Sequence, residues 1–400
     1  MDKTAIRVCE LWDEYLPVFT GAAIRHDQLN PGLAKLGIAV EVITIQWQGT
    51  LPQETLNGVP ILRVPLAKFS SRNVRDIVHG LRMCQAVWSR RAHFDLLYAL
   101  TTNEFHLPAL LLARLLGKPV VLEFNLMHSA EISPPAKILS ALAHVLYRWF
   151  DAYIPISTPL LESLTRRGLS PAKCHLIPVG IYPDEFSPLA ADARKTQREK
   201  LGLDPNNIYL LFVGSVIRRK GVDVLVEMMA LLSARPEIHL IVVGQHDFPE
   251  GHAGYAFAES TRQDIQARGL NERIQLVGRL ETSQVIPWLQ AGDIFVFPSR
   301  REGFGRVILE AMSVGLPCIC SELDDVIYDL IKPEVNGIVV KELEPAAFAK
   351  QVLHLADDPD LRRRLGAQAR QTAVNYFDER NFAVEYGNLF RNILESNRKT

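Results

Sequence analysis

Short apolar runs rich in β-branched residues alternate along this chain with longer segments of helical periodicity, and the alternation occurs in two successive series. The first series comprises residues 6–11, 40–45, 96–100, 120–124, 153–157 and 175–179. The second comprises residues 209–214, 239–244, 274–278, 294–298, 317–321 and 337–340. Strands that are apolar throughout need cover on both faces, the condition of a parallel sheet between two helical layers. The intervening segments suit that role. Leu107, Leu110, Leu111 and Leu115 repeat at helical spacing ahead of Gly117 and Pro119. Val224, Leu225, Met228, Met229, Leu231 and Leu232 do the same ahead of Pro236. Two such series predict an α/β protein of two Rossmann-like, doubly wound parallel-sheet domains facing a central cleft.

The 400 residues suffice for two or three domains. The expected divisions are 1–182, 183–375 and a tail, 376–400, forming a helix that packs back towards the first domain. The polar stretch 183–207 reads as the connection plus a surface helix. In the tail, Tyr376, Phe377, Phe382, Tyr386 and Phe390 are spaced for burial. With 48% hydrophobic and 22% charged residues, the composition excludes a disordered chain. A formal net charge of −1 argues against bulk attraction to nucleic acid. The sign is uneven: residues 1–180 hold 18 Lys+Arg against 14 Asp+Glu, and the remaining residues 26 against 31. Asp2 and Lys3 lead directly into a strand-like run, and no apolar stretch approaches the ~20 residues of a spanning helix. The longest, 138–150, holds His144 and Arg148. The expectation is a cytoplasmic protein, peripheral on the inner face of a membrane if its first domain docks there. Five cysteines without zinc-site spacing read as small buried hydrophobes in a reducing compartment, with Cys318 and Cys320 on one side of a strand.

Ligands of open parallel sheets bind beyond the carboxyl ends of the strands, and four loops there have unusual composition. Residues 19–23 (FTGAA) precede a helix, and their small side chains admit either a ligand or a simple tight turn. Residues 214–221 (GSVIRRKG) set three adjacent cations between two glycines, an arrangement that favours an anion. Residues 298–312 (PSRREGFGRVILEAM) pass from a strand through a loop into a helix. Gly303 and Gly305 would expose backbone N–H groups at the positive end of that helix, where a diphosphate is stabilised. Glu302 lies on the loop and Glu310 within the helix, ~10 Å apart at ~1.5 Å rise per residue. That separation suits two hydroxyl-bearing parts of one extended ligand. Glu310 also sits among Leu309, Ala311 and Met312, where an uncompensated carboxylate is costly. The fourth loop, Asp324-Asp325, reads as a solvated acidic turn.

These segments resemble the retaining glycosyltransferases of family 4, which have the GT-B fold. Residues 177–188 (IPVGIYPDEFSP) resemble the family's domain-linking signature, and 212–225 (FVGSVIRRKGVDVL) its phosphate loop. Residues 291–321 resemble its motif of two glutamates separated by seven residues, and 336–340 (NGIVV) its closing strand. The resemblance implies that Glu310 binds the nucleotide ribose and Glu302 a hydroxyl of the donor sugar. It implies that the Gly303–Phe304–Gly305 segment meets the diphosphate, that Arg219 and Lys220 neutralise its charge, and that Gly21 lets a first-domain loop come close. Where the family often has Arg after its phosphate strand this chain has Ser215, with Arg218 or Arg219 as replacements. The acceptor-side position often held by His is Asn125, with His128 three residues on. The usual paired glycines are Asp324 and Asp325, and the usual Asn of the linking motif is Val179.

The activity implied is retaining transfer of a hexose or hexose derivative from a nucleoside-diphosphate sugar to an acceptor hydroxyl, as in polysaccharide or glycolipid assembly. Fixed cations and helix dipoles would stabilise the departing diphosphate. No Asp-x-Asp or histidine motif suggests a metal, so no cofactor is expected beyond the donor. An epimerase or hydrolase of the same fold, or a non-catalytic sugar-nucleotide-binding protein, are the alternatives. The expected acceptor is a sugar or lipid-linked sugar. Arg72, Arg75, Arg82, Arg90 and Arg91 surround Ile77, Val78, Leu81, Val87 and Trp88, and Trp149 and Phe150 lie in a second apolar stretch. Two readings stand: a surface that docks on anionic lipid, or a helix packed on its own sheet with basic residues in solvent.

Overall fold

The computed structural model describes residues 5–17, 21–66, 72–100, 106–125 and 146–398, with only the backbone of Arg72, Asn73 and Asp324. The chain forms two compact units, Met1–Val179 with Glu379–Thr400, and Gly180–Asp378.

The first unit contains β1 (Ile6–Leu11), α1 (Gly21–Lys35), β2 (Ile38–Gln46), β3 (Gln53–Leu56), β4 (Val59–Pro65), α2 (Arg72–Arg90), β5 (Leu96–Leu100), α3 (Leu107–Leu115), β6 (Val120–Phe124), β7 (Ala152–Pro155) and α4 (Thr158–Arg166). Its sheet runs β3-β4-β2-β1-β5-β6-β7. Every pairing is parallel except β3 with β4. The chain moves outward from β1 through β2 and then returns to β5 on the other side of β1. The carboxyl ends of β1 and β5 therefore flank a topological switch point, the position at which such sheets bind ligands.

The second unit contains α5 (Ala191–Lys200), β8 (Ile208–Val213), α6 (Val222–Leu231), β9 (Ile238–Val243), α7 (Tyr255–Ala267), β10 (Ile274–Gly278), α8 (Thr282–Ala291), β11 (Ile294–Phe297), α9 (Arg306–Ser313), β12 (Cys318–Ser321), α10 (Ile327–Leu330), β13 (Ile338–Val340), α11 (Pro345–Asp357) and α12 (Pro359–Tyr376). Its all-parallel sheet runs β10-β9-β8-β11-β12-β13. The switch point here lies between β8 and β11. Both strands are buried on both faces, apart from half-buried Ile208 at the start of β8. Their continuous apolar sequences require this.

The last helix, α13 (Glu379–Asn397), belongs to the first unit. Gly32 of α1 leaves room for it, since a Cβ there would lie 2.7 Å from Ala383 Cβ. A buried polar cluster fastens it. The Arg25 guanidinium donates to Glu123 at 2.6 Å and to the Tyr386 hydroxyl at 2.8 Å. The hydroxyls of Tyr98 and Tyr386 both donate to the other oxygen of Glu123. Burial pushes the Glu123 carboxyl up, but Arg25 and His26 outweigh it and hold it at about 2. Burial opposes charge on His26, yet Glu10 and Glu123 raise it to about 9.

Two expectations, a strand at 175–179 and burial of Tyr376, need correction. Residues 175–179 are not a strand. Only His175 and Ile177 donate to the neighbouring chain, to Tyr153 and Pro155, and Pro178 has no N–H with which to continue. The pair β3–β4 was absent from the sequence reading because Gln53–Leu56 is polar, although its Asn57-Gly58 turn, with φ of 50° and 81°, is a strong hairpin signal. The helix expected within residues 183–207 is present as α5. Arg194 and Arg198 of α5 bind Asp293 at 2.7 and 2.6 Å within the second unit. Tyr376 is exposed, whereas Phe377, Phe382, Tyr386 and Phe390 are buried. No described helix is long and apolar enough to cross a membrane.

Candidate functional site

The loops that follow β8 and β11 meet at the switch point of the second unit. After β8 the backbone runs through Gly214 and Ser215 into a 3₁₀ turn, Arg218–Lys220, and then Gly221. Gly221 has φ of 75°, and a Cβ there would lie 1.9 Å from the carbonyl oxygen of Pro298. Left-handed backbone and this close approach both exclude other residues. The loops are also hydrogen-bonded together. The Arg300 amide donates to Arg219 O at 2.8 Å. The Arg300 guanidinium donates to Arg218 O at 2.6 Å and to both Asp223 oxygens at 2.8 and 2.7 Å.

One oxygen of Glu302 accepts from three groups: Lys220 Nζ at 2.6 Å, Ser299 Oγ at 2.8 Å and Arg219 Nη1 at 3.1 Å. Arg219 also donates to Arg301 O at 2.7 Å. Lys220 is 14% exposed and lies 5.2 Å from the centroid of the Phe297 ring. Burial lowers its pKa, a tendency opposed by Glu302. The structure thus brings together Glu302, Lys220 and Arg219, with one net positive charge among the three.

Gly305, at φ of 89°, caps the start of α9. Gly303, Phe304 and Gly305 are buried, and among the described residues no hydrogen bond engages their N–H groups. Phe304 is fixed by Phe377, 6.0 Å away between ring centroids. A buried helix start with unengaged donors is an anion site in waiting. Glu310 is buried on α9, but it is not uncompensated as its neighbours suggested. Arg306 Nε donates to it at 3.0 Å, one helical turn away. Burial still raises its pKa against that partner.

Arg218 is exposed and Ser215 half-buried. Leu323 and Asp325, in the turn after β12, have φ of 52° and 66°, and the Asp325 side chain is exposed. In the first unit, Gly21 begins α1 with nothing within 4 Å of an added Cβ. Asn125 follows β6, with its buried Oδ1 unpartnered among the described residues. Phe19, Thr20, His128 and residues 138–145 lie outside the described residues.

The first unit also assembles a group that no spacing announced. Asp13, just after β1, His79 on α2 and His106, immediately before α3, bring their ligand atoms within 4.8 Å of one another. Burial pushes the Asp13 carboxyl up, but His106 and His79 outweigh it and hold it well below the usual carboxylate range. Dozens of residues separate the three in sequence, so only the fold reveals the group.

Comparison with known proteins agrees with this layout. Residues 193–372 match the family Glycosyl transferases group 1, and residues 20–180 match the Glycosyl transferase 4-like domain. The D-inositol 3-phosphate glycosyltransferase of Streptomyces scabiei is 27% identical over 370 residues, covering 87% of this chain and 81% of that protein. An uncharacterized glycosyltransferase of Methanocaldococcus jannaschii is 26% identical over 403 residues, covering 96% and 97%. Among solved structures, sucrose-phosphate synthase from Thermosynechococcus elongatus superposes with a TM-score of 0.81 at 22% identity, covering 98% of this chain and all of that one. Anabaena HepE in complex with UDP gives 0.80 at 18% identity, covering 97% of this chain and 100% of that one. The fold and these matches define a nucleotide-sugar-dependent glycosyltransferase of the GT-B fold. More particularly, the chain is related to the group 1 and family 4 glycosyltransferases.

Proposed function

We propose that this protein transfers a hexose or hexose derivative from a nucleoside-diphosphate sugar to an acceptor hydroxyl with retention of anomeric configuration. The observation that carries the reading is the contact of the cationic turn with the loop entering α9, where Lys220 and Arg219 share Glu302 beside unengaged N–H groups. A diphosphate bound there would accept from Phe304 and Gly305 and take Lys220 and Arg219 as counter-charges. Charge accumulates on the diphosphate as the glycosidic bond breaks, so fixed donors in a dry site favour the transition state over the ground state. The protein's own cations do this work, and no metal is assigned to the donor. Glu302 would orient a hydroxyl of the sugar and Glu310 the ribose. Ser215, Arg218 and Gly303 complete the donor contacts, and Gly21 is a donor-side candidate by the family resemblance. Asn125 and His128 are acceptor-side candidates. One structural neighbour, Anabaena HepE, has been solved with UDP, with UDP and glucose, and with UDP-glucose, which is consistent with a uridine donor here.

Incubating the protein with a labelled sugar nucleotide and a sugar-acceptor panel tests this, with the product's anomeric coupling read by NMR. The expected result is acceptor-dependent turnover giving the donor's own configuration. Donor consumption without acceptor would support the hydrolase or epimerase instead, and an inverted product would remove the retaining assignment.

The acceptor's setting has a separate support. On α2, His79, Met83, Ala86 and Val87 are buried, yet Val74, Ile77, Leu81 and Trp88 are exposed at helical spacing. Arg75 on this helix and Arg91 just after it are also exposed. The helix packs inward and leaves an apolar stripe outward, an arrangement compatible with either reading. A stripe of this kind with basic neighbours suits an anionic lipid surface and a lipid-linked acceptor. Flotation with phosphatidylglycerol vesicles should recover the protein, and the I77S/W88S double variant should not float. Failure of the wild-type chain to float would dismiss peripheral membrane binding.

A further inference from the structure

We propose that Asp13, His79 and His106 bind one divalent first-row transition-metal ion, Zn²⁺ by their donor chemistry, at the switch point of the first unit. Three observations support this. The first is place. Asp13 follows β1 and His106 follows β5, the two strands whose connections diverge, so the group occupies the ligand position of the sheet. The second is spacing. His106 Nε2 and His79 Nε2 lie 2.9 and 3.6 Å from Asp13 Oδ1. Donors of a tetrahedral Zn²⁺ bound at about 2.0–2.1 Å are about 3.3 Å apart, between those two values. The third is burial without satisfaction. The three residues are at most 5% exposed, and their side chains at most 8%. Both Asp13 oxygens and all four ring nitrogens are buried, and apart from the contacts of the two Nε2 atoms with Asp13 Oδ1 none has a polar partner among the described residues. Buried polar atoms left in that state are costly, and a cation held by two imidazoles and a carboxylate would engage one atom of each of the three side chains.

The setting is built for a fixed ligand. Thr44 Oγ1 and Trp47 Nε1 donate to the Asp13 carbonyl at 3.0 and 3.3 Å, pinning the residue that links the two histidines. Two histidines and one carboxylate leave a fourth position, which takes an oxygen from water or from a bound acceptor. The ion would lie in the first unit and is separate from the diphosphate chemistry assigned to Lys220 and Glu302.

The test uses the full chain without any sugar nucleotide, so its result does not depend on the proposed transfer. Chelator-treated protein is dialysed against Zn²⁺ and its metal content measured by elemental mass spectrometry. In parallel, Co²⁺ is added and the visible absorption recorded. The expected result is about one Zn²⁺ per chain and the intense visible bands of four-coordinate Co²⁺. His79→Ala and His106→Ala should weaken Zn²⁺ binding at least ~10-fold while His175→Ala does not. Wild-type protein that retains less than a tenth of an equivalent, or shows only the weak spectrum of hydrated Co²⁺, overturns the proposal. Folded variants that bind as tightly as wild type overturn it equally. If the alanine variants do not fold, the wild-type Co²⁺ spectrum decides alone.

Discussion

The two switch points of this molecule have the same topology and opposite chemistry. Between β8 and β11 the sheet ends in glycines, cations and a helix start whose N–H groups are unengaged. Between β1 and β5 it ends in a carboxylate and two imidazoles, all buried. The first set is suited to a polyanion, the second to a cation or to what a cation would hold. The winding of a doubly wound sheet fixes where a ligand sits, while the side chains delivered there choose which ligand. The charges also differ in how they are balanced. At the second unit Glu302 already pairs with Lys220 and Arg219, so a diphosphate bound there as proposed would share its cations with a carboxylate instead of meeting bare charge.

The largest effect should come from removing that shared cation. Lys220→Ala is expected to lower kcat by roughly 10²–10³-fold, the scale of a lost transition-state donor. Its far-ultraviolet circular dichroism should stay that of wild type. Glu310→Ala should also reduce kcat/KM strongly in the same assay. Wild-type turnover in either variant would break the contrast between the two ends.

Next in size is a pair of glycines, one in each unit. Gly221→Ala places a Cβ on the Pro298 carbonyl in left-handed backbone, whereas Gly21→Ala meets open space. The first should cost at least about 2 kcal/mol, a fall of roughly 4–8 °C in Tm for a domain of this size. The second should leave Tm unchanged and lower transfer activity only. Equal Tm values by scanning calorimetry would show that the β8 and β11 loops are not locked as described.

A pH effect separates the units further. His26 is raised above its unfolded value to about 9 by Glu10 and Glu123 despite its burial. The stability this lends is fully present below pH ~6.5 and is lost as pH rises through about 9. Chemical denaturation of the wild-type chain should show that decline between pH 6.5 and 9.5, and His26→Gln should flatten it. A decline that persists in His26→Gln would place its origin elsewhere.

The smallest effect belongs to Arg218. Its side chain is exposed, and what it supplies to the neighbouring loop is its backbone oxygen. Arg218→Ala should change KM for the donor less than about threefold in steady-state assays, whereas Arg219→Ala, which loses a partner of Glu302, should change it more. The reverse order would reassign the cation.

The second unit was easier to read from sequence than the first, for physical reasons. Its strands are short, largely apolar and set between helices, and the anion-binding signals lie in continuous segments, 214–221 and 298–312. Glycine and charge at a strand end carry meaning without tertiary information. The first unit hides more. Its polar edge hairpin lacks the apolar pattern, and residues 175–179 have strand composition with a proline that halts pairing. The Asp13, His79 and His106 group is made by three different elements, so no local spacing marks it. The pairing of Glu310 with Arg306 is legible as an i,i+4 spacing.

The central claim is that a pyrophosphate group binds between the start of α9 and the Arg218–Lys220 turn. Isothermal titration with the nucleoside diphosphate that stabilises the protein best, beside its monophosphate, tests this directly in wild type and Lys220→Ala. The account predicts that the wild-type protein prefers the diphosphate by at least ~10-fold and that Lys220→Ala loses most of that preference while holding the monophosphate nearly as before. A preference that survives intact in Lys220→Ala would contradict it.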